Sequence, residues 1–128
     1  MTGKTREVNI LLKNIIDIIK DMKGINIMSL DLRKLENPIC EYFVLCTGSS
    51  DTHVSAIERK IIKEIEEQLK ERPWSTEGNN TSNWLLIDYA NIVIHIFKKE
   101  SRDFYQLEDL WGDARITTYL DKEKTLSA

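Results

Sequence analysis

The sequence is short of several things, and each shortage argues against a class of function. Two cysteines, Cys40 and Cys46, occur in 128 residues. They lack the spacing of a zinc site and are too few for a disulfide framework, which fits a reducing, cytoplasmic compartment. No apolar run approaches the roughly 20 residues needed to span a bilayer, so no membrane association is expected. The N-terminal stretch carries Glu7, Asp17 and Asp21 and no small-residue cleavage pattern, unlike a signal or transit peptide. Without secretion, the glycosylation sequons at Asn79 and Asn80 are chance matches. Basic charge is not in excess: Lys and Arg total 18 against 21 Asp and Glu, a formal net charge of -3. That balance argues against sequence-independent binding to nucleic acid, which needs a basic face, and leaves room for a basic protein partner. The glycine patterns that cradle phosphates and the elbow that presents a nucleophilic serine are missing. No internal repeat or low-complexity tract occurs.

What is present is an ordinary globular composition, 41% apolar and 30% charged, at a length that suits one domain. Residues 7–23 place Val8, Leu11, Leu12, Ile15, Ile19 and Met22 at helical spacing, with Gly24 as a stop. Residues 27–32 alternate, Met28, Leu30 and Leu32 against Ser29 and Asp31, the pattern of a half-buried strand. Residues 42–47 are apolar up to Thr47, as in a mid-sheet strand buried on both faces. A Gly48-Ser49-Ser50 turn leads into a second helix over 52–71, with Ser50 or Asp51 as its N-cap. Strand, Gly-Ser turn, helix can hold an anion on free backbone N–H groups, though most such turns only connect. Residues 74–78 form a short strand. Two further strands, 84–87 and 92–97, flank a polar break and form a hairpin. Trp84 and Leu86 oppose Leu85 and Ile87, while Ile92, Ile94 and Ile96 oppose Val93, His95 and Phe97. A short helix ends the order. The expectation is an α/β domain over 7–119, with a mixed sheet of about five strands and helices packed on it. Residues 120–128 form a flexible tail.

Two groups of residues could carry chemistry. His53, Asp88 and His95 include zinc-competent types, but their separations match no metal motif, and a histidine inside a strand is more often a hydrogen-bonded structural residue. The second group is acidic and aromatic. Glu100, Asp103, Glu108, Asp109 and Asp113 interleave with Tyr105, Leu107, Leu110 and Trp111. Solvated charge is the plain reading. Aromatic anchors beside charge are what a surface for a basic protein partner requires.

The ordered series Tyr42-Phe43-Val44, Thr47-Gly48-Ser49-Ser50, His53, Ala56-Ile57, Glu77-Gly78, Trp84, Asp88, Val93, His95 and Arg102-x-x-Tyr105-x-Leu107-Glu108-x-Leu110-Trp111 resembles the ribosomal silencing factor (Iojap) family. The family usually has Gly-Asp where this chain has Ala90-Asn91. Asn tolerates left-handed backbone, so the tight position is expected to move by one residue. The resemblance implies a fold similar to nucleotidyltransferases without their catalytic carboxylates, hence no enzyme, cofactor or metal. It implies a translational repressor, a homodimer when free, that binds the large ribosomal subunit through ribosomal protein fourteen and blocks joining of the small subunit under nutrient limitation. The residues expected at that contact are Trp84, Asp88, Tyr105, Leu107, Glu108, Asp109, Leu110 and Trp111. The alternative is a nucleotidyltransferase-like or phosphate-binding domain using Gly48-Ser49-Ser50. It would need paired carboxylates for magnesium, and the chain offers only Asp88 on a candidate strand.

Overall fold

The structure is a computed structural model. It describes residues 2–35, 38–78, 83–99 and 114–119, with side chains from residue 6 onward. The described elements are α1 (Thr2–Asp21), β1 (Ile25–Asp31), β2 (Tyr42–Gly48), α2 (Asp51–Leu69), β3 (Ser75–Glu77), β4 (Trp84–Asp88), β5 (Ile92–Lys98) and β6 (Arg115–Tyr119). They build one mixed sheet in the order β3-β4-β5-β2-β1-β6. The pair β2–β5 is parallel and every other pair is antiparallel. The α/β class and the mixed sheet agree with the sequence. The sheet has six strands, not five, because the chain adds β6 beyond β1. The expected short helix falls between β5 and β6, and the expected tail after Tyr119; both lie outside the described residues.

Both helices pack on one face. Leu11, Ile15 and Ile19 of α1 and Val54, Ile57, Ile61 and Ile65 of α2 bury against Ile27, Val44, Cys46, Leu85, Ile87, Ile92, Ile94 and Ile96. These sheet residues are the alternate positions of β1, β2, β4 and β5, so period 2 meets period 3.6 along one dry aliphatic seam. Strand β2 is buried at every position, as a strand central in a two-faced sheet must be. The opposite face carries a second cluster: Leu30, Leu32, Cys40, Phe43, Leu45, Phe97 and Ala114, with Met28, Leu35, Trp84 and Val93 packed against it.

Three local readings are corrected, and one pair of alternatives is decided. Strand β1 is not half-buried with a wet side: Ser29 lies on the helix face, 4% exposed, and its hydroxyl meets the Tyr119 hydroxyl at 2.9 Å. A polar side chain can be buried there because β6 supplies its partner. Helix α1 does not stop on a left-handed Gly24. The left-handed residue is Lys23 (φ 62), and the bonds Gly24 N–H to Ile19 O (2.9 Å) and Lys23 N–H to Lys20 O (2.9 Å) make a Schellman cap one residue earlier. Of the two N-cap candidates, Ser50 is the cap; its hydroxyl accepts from the His53 N–H at 3.1 Å. The tight position of the hairpin turn does not move to Asn91: Ala90 itself takes φ 73. Asn91 N–H reaches Tyr89 O at 2.9 Å, a γ-turn around Ala90, while Tyr89 N–H reaches Ile92 O at 2.9 Å. Closing the hairpin in this way overrides the steric preference of alanine.

Candidate functional site

The hairpin brings two named residues to one face of the sheet. Trp84 opens β4 and Asp88 closes it; with Leu86 they occupy alternate positions and point to the side away from the helices. The rise of a strand puts the two ends about 13 Å apart. In the β4–β5 register Trp84 stands opposite Phe97 and Leu86 opposite His95, so Trp84 and His95 are diagonal neighbours. The indole N–H of Trp84 donates to His95 Nδ1 at 3.0 Å. That bond leaves Nδ1 as the acceptor, so in the neutral ring the proton resides on Nε2. Trp84 also stacks on Phe97 (centroids 5.2 Å apart, 26° between planes), and Phe43 meets the His95 ring edge-on at 4.7 Å. Four aromatic rings from three adjacent strands thus form one plaque. Its outermost ring, Trp84, is half-buried, whereas Phe43, His95 and Phe97 are buried. A large aromatic held in one orientation and still partly open is the geometry of a binding anchor.

Asp88 has local work as well. Its Oδ1 accepts from the Ala90 N–H at 2.7 Å and its carbonyl accepts from the Trp74 N–H at 2.7 Å, so it shapes the turn and joins β3 to the hairpin. Tyr105, Leu107, Glu108, Asp109, Leu110 and Trp111 lie outside the described residues. The stretch that contains them is bracketed by Phe97 and Ala114, and both of these belong to the cluster on the Trp84 face.

His53, Asp88 and His95 do not come together. His53 starts α2 beside the Gly48 end of β2, and Asp88 stands at the other end of the sheet, opposite Val93. His95 packs with Phe43, Trp84 and Phe97 on the face away from the helices. His53 is a strut between elements. Its Nδ1 accepts from the Ser49 N–H at 2.9 Å, so its Nε2–H donates to the Met22 carbonyl at 2.7 Å, tying the end of α1 to the β2–α2 turn. The Gly48-Ser49-Ser50 turn is occupied in the same way. Ser49 N–H is taken by His53, His53 N–H by the Ser50 hydroxyl and Val54 N–H by the Ser50 carbonyl. The Asp51 carboxylate sits in the first turn of α2 and pairs with Lys98 at 2.9 Å. Gly48 is explained by packing, since a Cβ there would meet Val54 Cγ2 at 2.7 Å. These bonds occupy three backbone donors of the turn, and the Asp51 carboxylate adds negative charge beside it.

Cys40 is buried, and desolvation pushes its thiol up to about 11, away from nucleophilic use. Among the described residues, the large apolar side chains most open to water are Trp74, 81% exposed, and Ile39, 69% exposed. Neither stood out in the sequence, because exposure at a strand entrance leaves no periodic signal.

Comparison with known proteins decides the assignment. The family model described as "Ribosomal silencing factor during starvation" matches residues 5–128. The chain belongs to the ribosomal silencing factor family. It is 37% identical over 97 residues to the ribosomal silencing factor of Bacillus subtilis, covering 73% of this chain and 78% of that one. The corresponding protein of Halalkalibacterium halodurans is 35% identical over 104 residues, 81% of this chain and 87% of that one. A crystal structure of a protein from Chromobacterium violaceum superposes with a TM-score of 0.75 at 29% identity, over 81% of this chain and 85% of that one. For a member of this silencing family the plaque around Trp84, not the Gly48 turn, is the feature that calls for a function.

Proposed function

We propose that this ribosomal silencing factor acts by occupation. It binds the large ribosomal subunit through ribosomal protein fourteen, in the cytoplasm and under nutrient limitation, and so keeps the small subunit from joining. It catalyses nothing in doing so. The observation that carries the reading is the Trp84 plaque: an indole fixed by His95 and Phe97 and still half-open to solvent. A pre-ordered aromatic loses little side-chain freedom on docking, which favours it as an anchor. Leu107, Leu110, Tyr105 and Trp111 supply further anchors, and Glu108 and Asp109 supply the charge. Asp88 contributes at the far end of β4 while holding the turn. Most of a ribosome is polyanion, so a chain of net charge -3 must find a basic protein surface on it. The free chain is a homodimer.

Co-sedimentation with purified large subunits tests the site. Trp84→Ala is expected to weaken binding by about 2 kcal/mol or more, the scale of an aromatic hot spot. Glu108→Lys with Asp109→Lys is expected to lose more affinity than the matched reversal at Glu66 and Glu67, the loss shrinking as salt rises, because exposed charge is screened over about 8–10 Å. Wild-type co-sedimentation of a folded Trp84→Ala protein, judged by circular dichroism, rules the plaque out as the contact.

A further inference from the structure

Trp74 is 81% exposed, yet the backbone that carries it is held on both sides. Lys70 ends α2 in left-handed backbone (φ 59), with its N–H on the Glu66 carbonyl at 3.0 Å. Arg72 reaches back to Glu66 Oε2 through Nε at 3.1 Å and Nη2 at 2.9 Å. Pro73 fixes its own φ. The Trp74 N–H donates to the Asp88 carbonyl at 2.7 Å, and the chain then enters β3 with Ser75 opposite Asp88. With most of the indole in water, the ring adds little to the core. On docking it has only two side-chain torsions to lose, and its backbone is already in place.

We propose that Trp74 is a second anchor for the basic protein surface that receives Trp84 on the large ribosomal subunit, so that the contact runs the length of β4 and ends on Trp74. This deepens the reading of the Trp84 site given above and rests on it. Two observations choose this occupant. The first is continuity. Asp88, at the far end of the Trp84 contact, holds the Trp74 N–H on its own carbonyl. By register and strand rise Trp74 lies about 17 Å beyond Trp84 along the sheet, within the patch of about 800 Å² that a standard interface covers on each partner. The second observation is charge. Residues 66–78 hold Glu66, Glu67, Glu71 and Glu77 against Lys70 and Arg72, and Arg72 is already paired with Glu66. Glu71, Glu77 and Asp88 make no ion pair among the described residues. An open indole beside such carboxylates suits a Lys or Arg set among apolar groups, which meets the ring face and the charge together. A nucleic-acid base can stack on an indole, but its phosphates would meet the same carboxylates.

Trp74→Ala removes an exposed ring, so its circular dichroism should match wild type. In co-sedimentation of the full chain with purified large subunits it is expected to bind at least about tenfold more weakly. Glu71→Lys with Glu77→Lys is expected to weaken binding in low salt, and the loss should shrink as salt rises. Loss with Trp84→Ala and none with Trp74→Ala overturns the second anchor and keeps the Trp84 reading. No loss with either, or no binding by the wild-type chain, overturns both. Loss with Trp74→Ala and tighter binding after the charge reversal puts ribosomal RNA on the indole and overturns the basic protein partner. Sedimentation equilibrium addresses the remaining occupant. If Trp74→Ala weakens pairing between copies and leaves subunit binding at the wild-type level, a second copy covers Trp74 and the proposal fails.

Discussion

The two faces of the sheet are made from the same strands and differ in kind. The helix face is aliphatic, with Ile27, Val44, Ile87, Ile92, Ile94 and Ile96 closed under α1 and α2. The other face puts Phe43, Trp84, His95 and Phe97 side by side and links two of them by a hydrogen bond. Aliphatic side chains gain from being buried and have no orientation to defend. Aromatic rings with polar atoms gain only in particular orientations, and those orientations can be offered to a partner. Both faces hold buried side chains, and under the proposed function the aromatic one also serves recognition.

Breaking the comparison starts on the helix face. Ile94→Ala opens a cavity under two helices and is expected to cost about 3–4 kcal/mol in urea unfolding, while binding of large subunits by the remaining folded protein is unchanged. If affinity for subunits falls as much as stability does, the separation of the two faces fails. On the plaque, Trp84→Phe keeps a ring over Phe97 and removes the indole donor to His95. Loss of that bond should cost about 1–3 kcal/mol, with subunit binding weakened as well, since the anchor loses its fixed orientation. A variant with wild-type stability would show that the bond contributes nothing.

The sequence made the helix face legible and the plaque only partly so. The helix stripes, the unbroken run of β2 and the alternation of β4 and β5 are strong periodic signals, and each strand fell on the face its pattern indicated. Strand β6 was missed because Arg-Ile-Thr-Thr-Tyr has a single aliphatic residue and four exposed positions, so it shows no buried alternation. The burial of Ser29 depends on Tyr119 from that missed strand, 90 positions away, and was illegible for the same reason. Trp84 was recognised through the family, and His95 was read as a structural residue. Their bond depends on the hairpin register, in which the partners are diagonal rather than opposite. The turn at Ala90 ran against local preference, since alanine resists positive φ and only the strand pairing on either side enforces it.

That turn gives a smaller and oppositely signed effect. Ala90→Gly relieves left-handed strain at φ 73 and is expected to raise stability by about 1 kcal/mol, read as a later urea midpoint with the same slope. A lower midpoint would mean that the γ-turn is not strained in solution. The smallest effect belongs to neither face. Asp31 accepts two bonds from the Arg33 guanidinium (2.9 and 2.7 Å), which hold its carboxyl below the usual value of 3.8. A depressed folded-state value means that this stability is present above the unfolded value and fades as pH falls through the folded one. The pair is partly exposed, so it should contribute about 0.5 kcal/mol. Asp31→Asn should therefore lower the urea midpoint slightly at pH 7, and the gap from wild type should close on acidification below the ordinary carboxylate range.

The central claim is occupation of the subunit-joining face without chemistry, and light scattering of mixed small and large ribosomal subunits tests it most directly. With the wild-type chain added in excess over large subunits, the rise in scattering that reports joining should be suppressed with no nucleoside triphosphate consumed, and the folded Trp84→Ala variant should restore it. Full joining in the presence of saturating wild-type chain, or suppression accompanied by steady nucleotide consumption, would contradict the account.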